Sequence, residues 1–227
     1  MKIYRFLHRG RIAESFEVPD GATLLPPVRP SKIVCVGRNY ADHAKELGNE
    51  APSEPILFLK PPSAILAPGG TIVRPAASQL VHHEAELAIV VGRESKNVKA
   101  ADWCGHVRGF ACANDVTARD LQRKDVQFTR GKSFDTFCPI GPCIETELDP
   151  ADLRVIARVN GEVRQDGRTS QMIFSCGVLF EFITGIMTLL PGDVILTGTP
   201  AGVGALETGD VVEIEIEGIG VLRNDVA

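Results

Sequence analysis

Two glutamates, two positions apart, open the segment HHEAELAIVVG. In a β-strand alternate side chains point to the same face, so Glu84 and Glu86 would lie side by side. Two neighbouring carboxylates repel each other unless a cation or a hydrogen-bond donor lies between them. The run that follows, Leu87 to Val91, is apolar on both faces, as in a central strand. We therefore favour a functional site here over the solvent-exposed edge strand that an arbitrary Glu-x-Glu would indicate.

A third carboxylate ends the apolar segment in ACANDVTARDLQ. Asp115 stands where a strand gives way to a helix, a position at which an aspartate also serves as a helix cap. Together with Glu84 and Glu86 it forms a set of three oxygen ligands, which suits Mg²⁺ or Mn²⁺. Three protein ligands leave positions for water and for a substrate that chelates through two oxygens, such as an α-keto acid or a β-diketone.

The same segment allows an iron site. His82 and Glu84 have the spacing of a 2-His-1-carboxylate centre, with His106 as its third ligand. This arrangement leaves Asp115 unused, so we rank it below the all-oxygen site. His83 points to the opposite strand face, as a core histidine or as one that supports the site.

A histidine and a glutamate three positions apart are candidates for a general base. His43 and Glu46 in YADHAKEL would share one face of a helix, where the carboxylate orients the imidazole and raises its basicity. An ordinary surface ion pair has the same spacing, and from the spacing alone it is the commoner outcome.

Four further residues are candidates for substrate contacts. Lys132 leads into the apolar segment FDTFCPIGP and could neutralise a developing enolate. Arg119 and Gln122 share a helix face after Asp115 and could hold a carboxylate. Thr199 lies in the glycine-rich loop LTGTPAGVG, whose spacing does not match a dinucleotide fingerprint. Each has an ordinary alternative: Lys132 could be a solvated loop lysine, Arg119 and Gln122 a surface pair, and the glycines around Thr199 a tight turn.

The elements that must position these residues are mainly strands. We predict strands at 33–36, 56–59, 86–91, 110–113, 143–147, 155–159, 194–197, 211–217 and 221–223, with a hairpin turn at Asn160-Gly161. Helices are predicted from a cap at Asn39 to Leu47, at 117–124 and at 175–190. Strands outnumber helices without the regular alternation of a doubly wound sheet, which predicts an α+β, mostly β fold.

The first thirty residues are predicted to form an appendage. Residues 1–7 and 12–18 alternate in character around Gly10, as in a β-hairpin, and the Pro-rich stretch LLPPVRPSK follows. We therefore predict a hairpin and connector over residues 1–30 and one main domain, carrying the site, over residues 31–227.

Composition limits the function classes. The chain has 227 residues, 24 Lys+Arg against 29 Asp+Glu and a net charge of −5, with no basic stripe that would suit nucleic acid. No apolar run is long enough to cross a membrane, and charged residues interrupt the N-terminus before a secretory signal could form. Six cysteines without a C-x-x-C pair indicate reduced thiols, so we expect a cytoplasmic protein.

Seven motifs, taken in order, carry a resemblance to a known family. They are GRNYADHAKE, EPILFLKP, HHEAELAIVVG, NDVTARDLQ, KSFDTFCPIGP, VNGEVRQ and LTGTPAGVG. Together they resemble the fumarylacetoacetate hydrolase family over residues 31–223, and most of all its small single-domain branch of acylpyruvate hydrolases and oxaloacetate decarboxylases.

The resemblance implies a mixed β-sandwich roll, a homodimer and a bound Mg²⁺ or Mn²⁺. It also implies a role for each matching residue, by motif: metal ligands Glu84, Glu86 and Asp115; a water-activating pair, His43 and Glu46; Lys132 at the oxygen that gains charge; and Arg119, Gln122 and Thr199 at the substrate carboxylate.

The expected function is therefore a metal-dependent hydrolase that cleaves the C–C bond of an acylpyruvate, such as fumarylpyruvate, to pyruvate and a carboxylic acid. There are two alternatives, and both would use the same stabilised enolate. One is decarboxylation of oxaloacetate, and the other is isomerisation and decarboxylation of 2-hydroxyhepta-2,4-diene-1,7-dioate. An iron oxygenase and a non-catalytic keto-acid binding protein are less favoured.

Overall fold

The computed structural model describes all 227 residues, which form three β-sheets and four short α-helices. The strands are β1 Lys2–His8, β2 Arg11–Ser15, β3 Thr23–Leu24, β4 Ile33–Gly37, β5 Ile56–Lys60, β6 Ile65–Leu66, β7 Thr71–Ile72, β8 Val81–His83, β9 Ala85–Val91, β10 Val107–Asn114, β11 Thr117–Ala118, β12 Cys138–Glu145, β13 Arg154–Val159, β14 Glu162–Arg168, β15 Val194–Leu196, β16 Gly204–Ala205, β17 Val211–Ile216 and β18 Gly220–Val226. The helices are α1 Ala41–Glu46, α2 Arg119–Lys124, α3 Thr129–Lys132 and α4 Cys176–Ile186.

The main sheet has ten strands, and β9 lies in its middle. The order is β2-β1-β12-β10-β9-β15-β4-β5, with β3 paired to β1 and β6 to β12. Every residue of β9 is buried, and its side chains alternate between two core clusters on opposite faces of the sheet. Leu87 and Ile89 belong to the larger cluster, whereas Ala88 and Val90 belong to the smaller one. Burial on both faces accounts for the unbroken apolar run, and the predicted central strand is confirmed.

A second sheet, β14-β13-β17-β18-β7, packs on one face of the main sheet and encloses the larger core cluster. The predicted Asn160-Gly161 turn joins β13 to β14, and both residues adopt the left-handed conformation, with φ of 53° and 80°. A third sheet of three short strands, β11-β8-β16, lies beside the start of β9. The mostly β, α+β sandwich predicted from the sequence is confirmed.

The helices are shorter than predicted. Helix α1 begins after Tyr40, and Asn39 does not cap it: the Asn39 amide donates to the carbonyl oxygens of Thr197 (2.7 Å) and Phe174 (3.0 Å) instead. Helix α4 ends at Ile186, because the chain becomes extended and Leu189 pairs with Ser95. No helix has the length and apolar character needed to cross a membrane.

The N-terminal hairpin is present, and it extends the edge of the main sheet. Strand β1 pairs with β2 over its last five residues, as predicted, and its first residues pair with the end of β12. Lys2 lies opposite Glu145, so this contact joins residues more than 140 positions apart. The hairpin and the main sheet therefore share a continuous hydrogen-bonded ladder.

Candidate active site and metal centre

Three buried carboxylates meet at one end of the central strands. Glu84 directly precedes β9, Glu86 is the second residue of β9, and Asp115 follows the end of the antiparallel neighbour β10. The backbone N–H of Asp115 donates to the carbonyl oxygen of Glu84 at 2.9 Å, which fixes the register of the two segments. The three side chains offer oxygen atoms that all lie within 4.8 Å of one another. The pairing of β9 with β10 thus brings together the three residues that the sequence nominated as metal ligands.

Three buried cations surround the three carboxylates. The Lys132 ammonium donates to Glu84 Oε2 at 2.8 Å and to Asp115 Oδ2 at 2.6 Å. Arg119 donates to the other oxygen of Glu84, and Lys60 donates to the other oxygen of Asp115. Glu86 receives no cation; its one hydrogen bond comes from the Gly198 N–H, at 2.6 Å.

Because their partners differ, the pKa values of the two glutamates are shifted in opposite directions. Burial acts to raise the pKa of Glu84, but the charges of Lys132 and Arg119 outweigh it and hold that pKa below its ordinary range. Burial, reinforced by the charges of Asp115 and Glu84, raises the pKa of Glu86 well above its ordinary value. Glu86 is therefore the carboxylate that a further cation would stabilise most.

The donor set fits a hard divalent cation. It consists of three carboxylates without a thiolate or imidazole, the set that Mg²⁺ and Mn²⁺ prefer. The three carboxylates already balance the three buried cations in formal charge, so a divalent ion would leave the site with two positive charges. A dianionic substrate would neutralise them.

A histidine–glutamate pair faces this site from helix α1. His43 Nδ1 lies 3.1 Å from Glu46 Oε2, and the second oxygen of Glu46 accepts the Gly202 N–H at 3.0 Å. A carboxylate next to Nδ1 holds the proton there and leaves Nε2 as a proton acceptor. His43 is buried, and it lines the same cavity of about 390 Å³ as the three carboxylates. The pair has the arrangement of a general base and its orienting carboxylate.

A buried glutamine that the sequence analysis did not single out orients Thr199. Gln165 Oε1 accepts from the Ala85 N–H (2.9 Å), and its Nε2 donates to the Pro200 carbonyl (2.7 Å), so the backbone partners settle how the amide is turned. Its second amide hydrogen then goes to Thr199 Oγ1, at 2.7 Å. The Thr199 hydroxyl accepts there, which leaves its own hydrogen free to donate into the cavity.

Replacing Gln165 by leucine should lower the free energy of unfolding by about 2–4 kcal/mol, because it leaves a buried N–H and a buried carbonyl unpaired. Chemical denaturation of the purified variant measures this loss. Gln79 is exposed and its side chain makes no hydrogen bond, so Gln79→Leu is the matched control and should change stability by no more than about 0.5 kcal/mol. Equal, small effects of the two substitutions would show that the network does not hold the loop.

The arginines of the cavity differ in whether they are paired. The terminal nitrogens of Arg119 are taken by Glu84 and by Gln122 Oε1, so Gln122 keeps its amide hydrogens for another acceptor. Arg38 and Arg123 line the same cavity without an ion pair within the protein. Arg38 also has a φ of 59°, a conformation that non-glycine residues seldom adopt.

The cavity contains nearly the whole predicted set. Eight of the nine predicted residues line the cavity: His43, Glu84, Glu86, Asp115, Arg119, Gln122, Lys132 and Thr199. The ninth, Glu46, lies outside the lining and contacts His43. The iron alternative is not supported, because His106 lies at the opposite end of β10 and its Nδ1 is 2.8 Å from Ser95 Oγ. His83 is buried and 3.0 Å from Gln165, as a supporting histidine would be.

Sequence reasoning missed Lys60 as well as Gln165. Lys60 ends the apolar strand β5 and is almost completely buried, with its ammonium also donating to the Val116 carbonyl at 3.1 Å. Its one signal in the sequence is a lysine that closes an apolar run directly before two prolines. A solvated strand end has the same pattern, so the signal alone does not assign a site.

Comparison with known proteins identifies the family of the chain. The family model described as "Fumarylacetoacetate (FAA) hydrolase C-terminal" matches residues 32–227. The human protein named oxaloacetate tautomerase FAHD2A, mitochondrial, is 48% identical over 215 residues, which cover 89% of this chain and 68% of that protein.

Two solved structures superpose on the whole chain. A Mycobacterium smegmatis structure, described as 5-carboxymethyl-2-hydroxymuconate delta-isomerase, has a TM-score of 0.93 and 44% identity, covering 100% of this chain and 99% of its own. The fumarylacetoacetate hydrolase of Exiguobacterium antarcticum has a TM-score of 0.90 and 40% identity, with the same coverage. The resemblance seen in the seven motifs is confirmed, and this chain belongs to the fumarylacetoacetate hydrolase family.

Proposed function

We propose that this protein moves a proton at the carbon next to the carbonyl of a 2-oxo dicarboxylic acid, and that keto–enol tautomerisation of oxaloacetate is its reaction. The observation that carries the proposal is the single cavity in which the His43–Glu46 pair faces three buried carboxylates. Oxaloacetate is the substrate we favour because the human relative at 48% identity is named for it.

The substrate is bound through its carboxylates and its carbonyl. The Thr199 hydroxyl and the Gln122 amide donate to the carboxylate next to the carbonyl, and Arg38 and Arg123 attract the second carboxylate. Glu84, Glu86 and Asp115 would hold Mg²⁺ or Mn²⁺, and the bound ion would supply Lewis-acid stabilisation of the enolate.

The chain's own groups then move the proton. His43 Nε2 removes a proton from C3 of the keto form, and the electron pair forms the C2=C3 double bond while the carbonyl oxygen gains negative charge. The Lys132 ammonium, held beside Glu84 and Asp115, stabilises that charge. The oxygen takes a proton from water to give the enol, and protonated His43 returns its proton to the hydroxide that is left, which restores the neutral imidazole. Ketonisation runs through the same groups in reverse.

Hydrolysis of an acylpyruvate is the second candidate, favoured by the likeness to the hydrolase of E. antarcticum over the whole chain. In this reaction His43 takes its proton from water, and the hydroxide attacks the carbonyl distant from the carboxylate. The C–C bond breaks towards a pyruvate enolate that Lys132 stabilises, and protonation at carbon releases pyruvate together with a carboxylic acid.

One experiment separates these reactions. The metal-stripped protein, with and without Mg²⁺ or Mn²⁺, is mixed with freshly dissolved enol-oxaloacetate or with fumarylpyruvate, and absorbance, pyruvate and CO₂ are followed. Metal without protein is the control for spontaneous reaction. We expect metal-dependent loss of enol absorbance without pyruvate.

Other outcomes would replace the tautomerase. Faster formation of pyruvate from fumarylpyruvate would assign the hydrolase, and pyruvate with CO₂ from oxaloacetate would assign a decarboxylase. No metal-dependent change with either compound would contradict both candidates and direct attention to the isomerase substrates of the M. smegmatis relative.

A further inference from the structure

Arg5 is a largely buried residue whose guanidinium forms no salt bridge. Four Lys or Arg residues of the chain are buried, and three of them, Lys60, Arg119 and Lys132, bind the carboxylates of the candidate active site. Arg5 is 8% exposed, and the one hydrogen bond of its side chain runs from Nη1 to the Pro26 carbonyl oxygen, at 3.1 Å. Glu14 lies opposite Arg5 in the β1–β2 pair, but its carboxylate binds Arg108, so the Arg5 guanidinium is available to an external anion.

Arg5 lines a second cavity, of about 410 Å³, together with Arg29 and Arg108. We call it the arginine cavity. Glu14 is the one carboxylate in its lining, and it is already bound to Arg108 Nη2, at 2.7 Å. Three arginines and one glutamate therefore give the lining a formal net charge of +2. Burial, and then the charge of Arg29, lowers the pKa of Arg5, and the charge of Glu14 offsets part of that shift.

The arginine cavity is separate from the candidate active site. It lies at Val91 and Gly92, beyond the end of β9, whereas Glu84 directly precedes the same strand and Glu86 is its second residue. Residues 84 and 91 are seven positions apart, which corresponds to about 23 Å in an extended strand. The two linings share no residue.

We propose that the arginine cavity binds a phosphate group. A phosphate dianion matches the net charge of the lining, and guanidinium groups bind its oxygens in bidentate fashion. The volume of the cavity is in the range of small-molecule sites. Arg5 belongs to the hairpin, Arg29 to the Pro-rich connector and Arg108 to β10, so a bound phosphate would join all three parts of the chain.

Calorimetric titration of the full-length protein tests the proposal. Inorganic phosphate and ribose 5-phosphate are titrated separately, in a phosphate-free buffer without divalent metal, into wild type, Arg5→Gln, Arg29→Gln and Arg11→Gln. Arg29 is exposed, so its replacement tests the site without disturbing the core. Arg11 is exposed on the same hairpin and outside the lining, and Arg11→Gln is therefore the matched control.

We expect saturable binding at one site per chain, weakened at least tenfold by Arg5→Gln and by Arg29→Gln and changed less than twofold by Arg11→Gln. Equal affinity for both probes would identify free phosphate as sufficient, and tighter binding of ribose 5-phosphate would identify an organic phosphate. No saturable binding of either probe, or binding that Arg5→Gln and Arg29→Gln leave unchanged, would overturn the proposal. Equal weakening by Arg11→Gln would also overturn it, because it would indicate attraction by overall charge.

Discussion

Replacing His43 by alanine should lower kcat by about 10²–10⁴-fold, because positioned general bases contribute a factor of that size. His43 is the one histidine that lines the cavity of the carboxylates, and Glu46 and the Gly202 N–H fix its orientation. The loss is expected for tautomerisation and for hydrolysis alike, since both begin with proton removal. Steady-state kinetics at saturating metal and substrate measure it.

The matched control for His43 is Lys45, an exposed residue of the same helix that makes no ion pair. Lys45→Ala should retain wild-type kcat within about twofold, as expected of a surface substitution. Circular dichroism confirms that both variants are folded. A His43→Ala variant that keeps more than a tenth of the wild-type kcat would contradict the role of the pair as general base.

Replacing Glu86 by glutamine should abolish stabilisation of the protein by Mn²⁺. The substitution keeps the size of the side chain and an oxygen for the Gly198 N–H, but it removes one of three charged ligands. At a hundredfold excess over Kd, a bound ion stabilises the wild type by about 2.7 kcal/mol, or roughly 5–10 °C in Tm for a chain of this length. Thermal unfolding with and without Mn²⁺ measures the shift.

The same substitution should not destabilise the metal-free protein. Glu86 lies beside the carboxylates of Glu84 and Asp115, and its charge is opposed by burial and by both neighbours. Glutamine removes that repulsion, so the metal-free Tm should stay equal or rise. Glu94→Gln, at an exposed glutamate without a hydrogen bond, is the matched control and should keep the full Mn²⁺ shift. A full shift in Glu86→Gln would show that the ion binds elsewhere.

The grouping of the candidate site residues could be predicted from the sequence because they lie on elements with strong local signals. The apolar run after Glu86 predicted a central strand, and the segment ending at Asp115 predicted another strand, which the structure pairs with it. Antiparallel pairing of these two strands is enough to bring the three carboxylates together. The motifs then added His43 and Lys132, which no spacing rule would have placed in the same cavity.

The supporting residues could not be predicted, because their partners are distant in the chain. Gln165 stands in β14 and reaches Ala85, Thr199 and Pro200. Nothing in the local pattern of β14 distinguishes a buried glutamine from an exposed one. Asn39 was assigned to the start of α1 from its residue type, yet its amide joins two chain segments more than 130 residues further on. Tertiary pairing overrides local capping preference in this case.

The arginine cavity could not be predicted either, because its residues are also distant in the chain. Its charged residues come from the hairpin, the connector and β10, and they meet only because β1 extends the main sheet beside β12. Along the sequence, basic and acidic residues are interspersed. The sequence therefore does not indicate that positive charge accumulates at this cavity.

The most direct test of the central claim is the rate of enol-oxaloacetate decay under four conditions: wild type with Mn²⁺, wild type stripped of metal, His43→Ala with Mn²⁺ and Glu86→Gln with Mn²⁺. If one cavity combines a metal held by the carboxylates with a base at His43, enol decay should be clearly faster than with Mn²⁺ alone only for the wild type with Mn²⁺. The other three rates should stay within a small factor of the rate with Mn²⁺ alone. Equal acceleration by the metal-stripped protein, or by either variant, would contradict the assignment of this cavity as a metal-dependent active site.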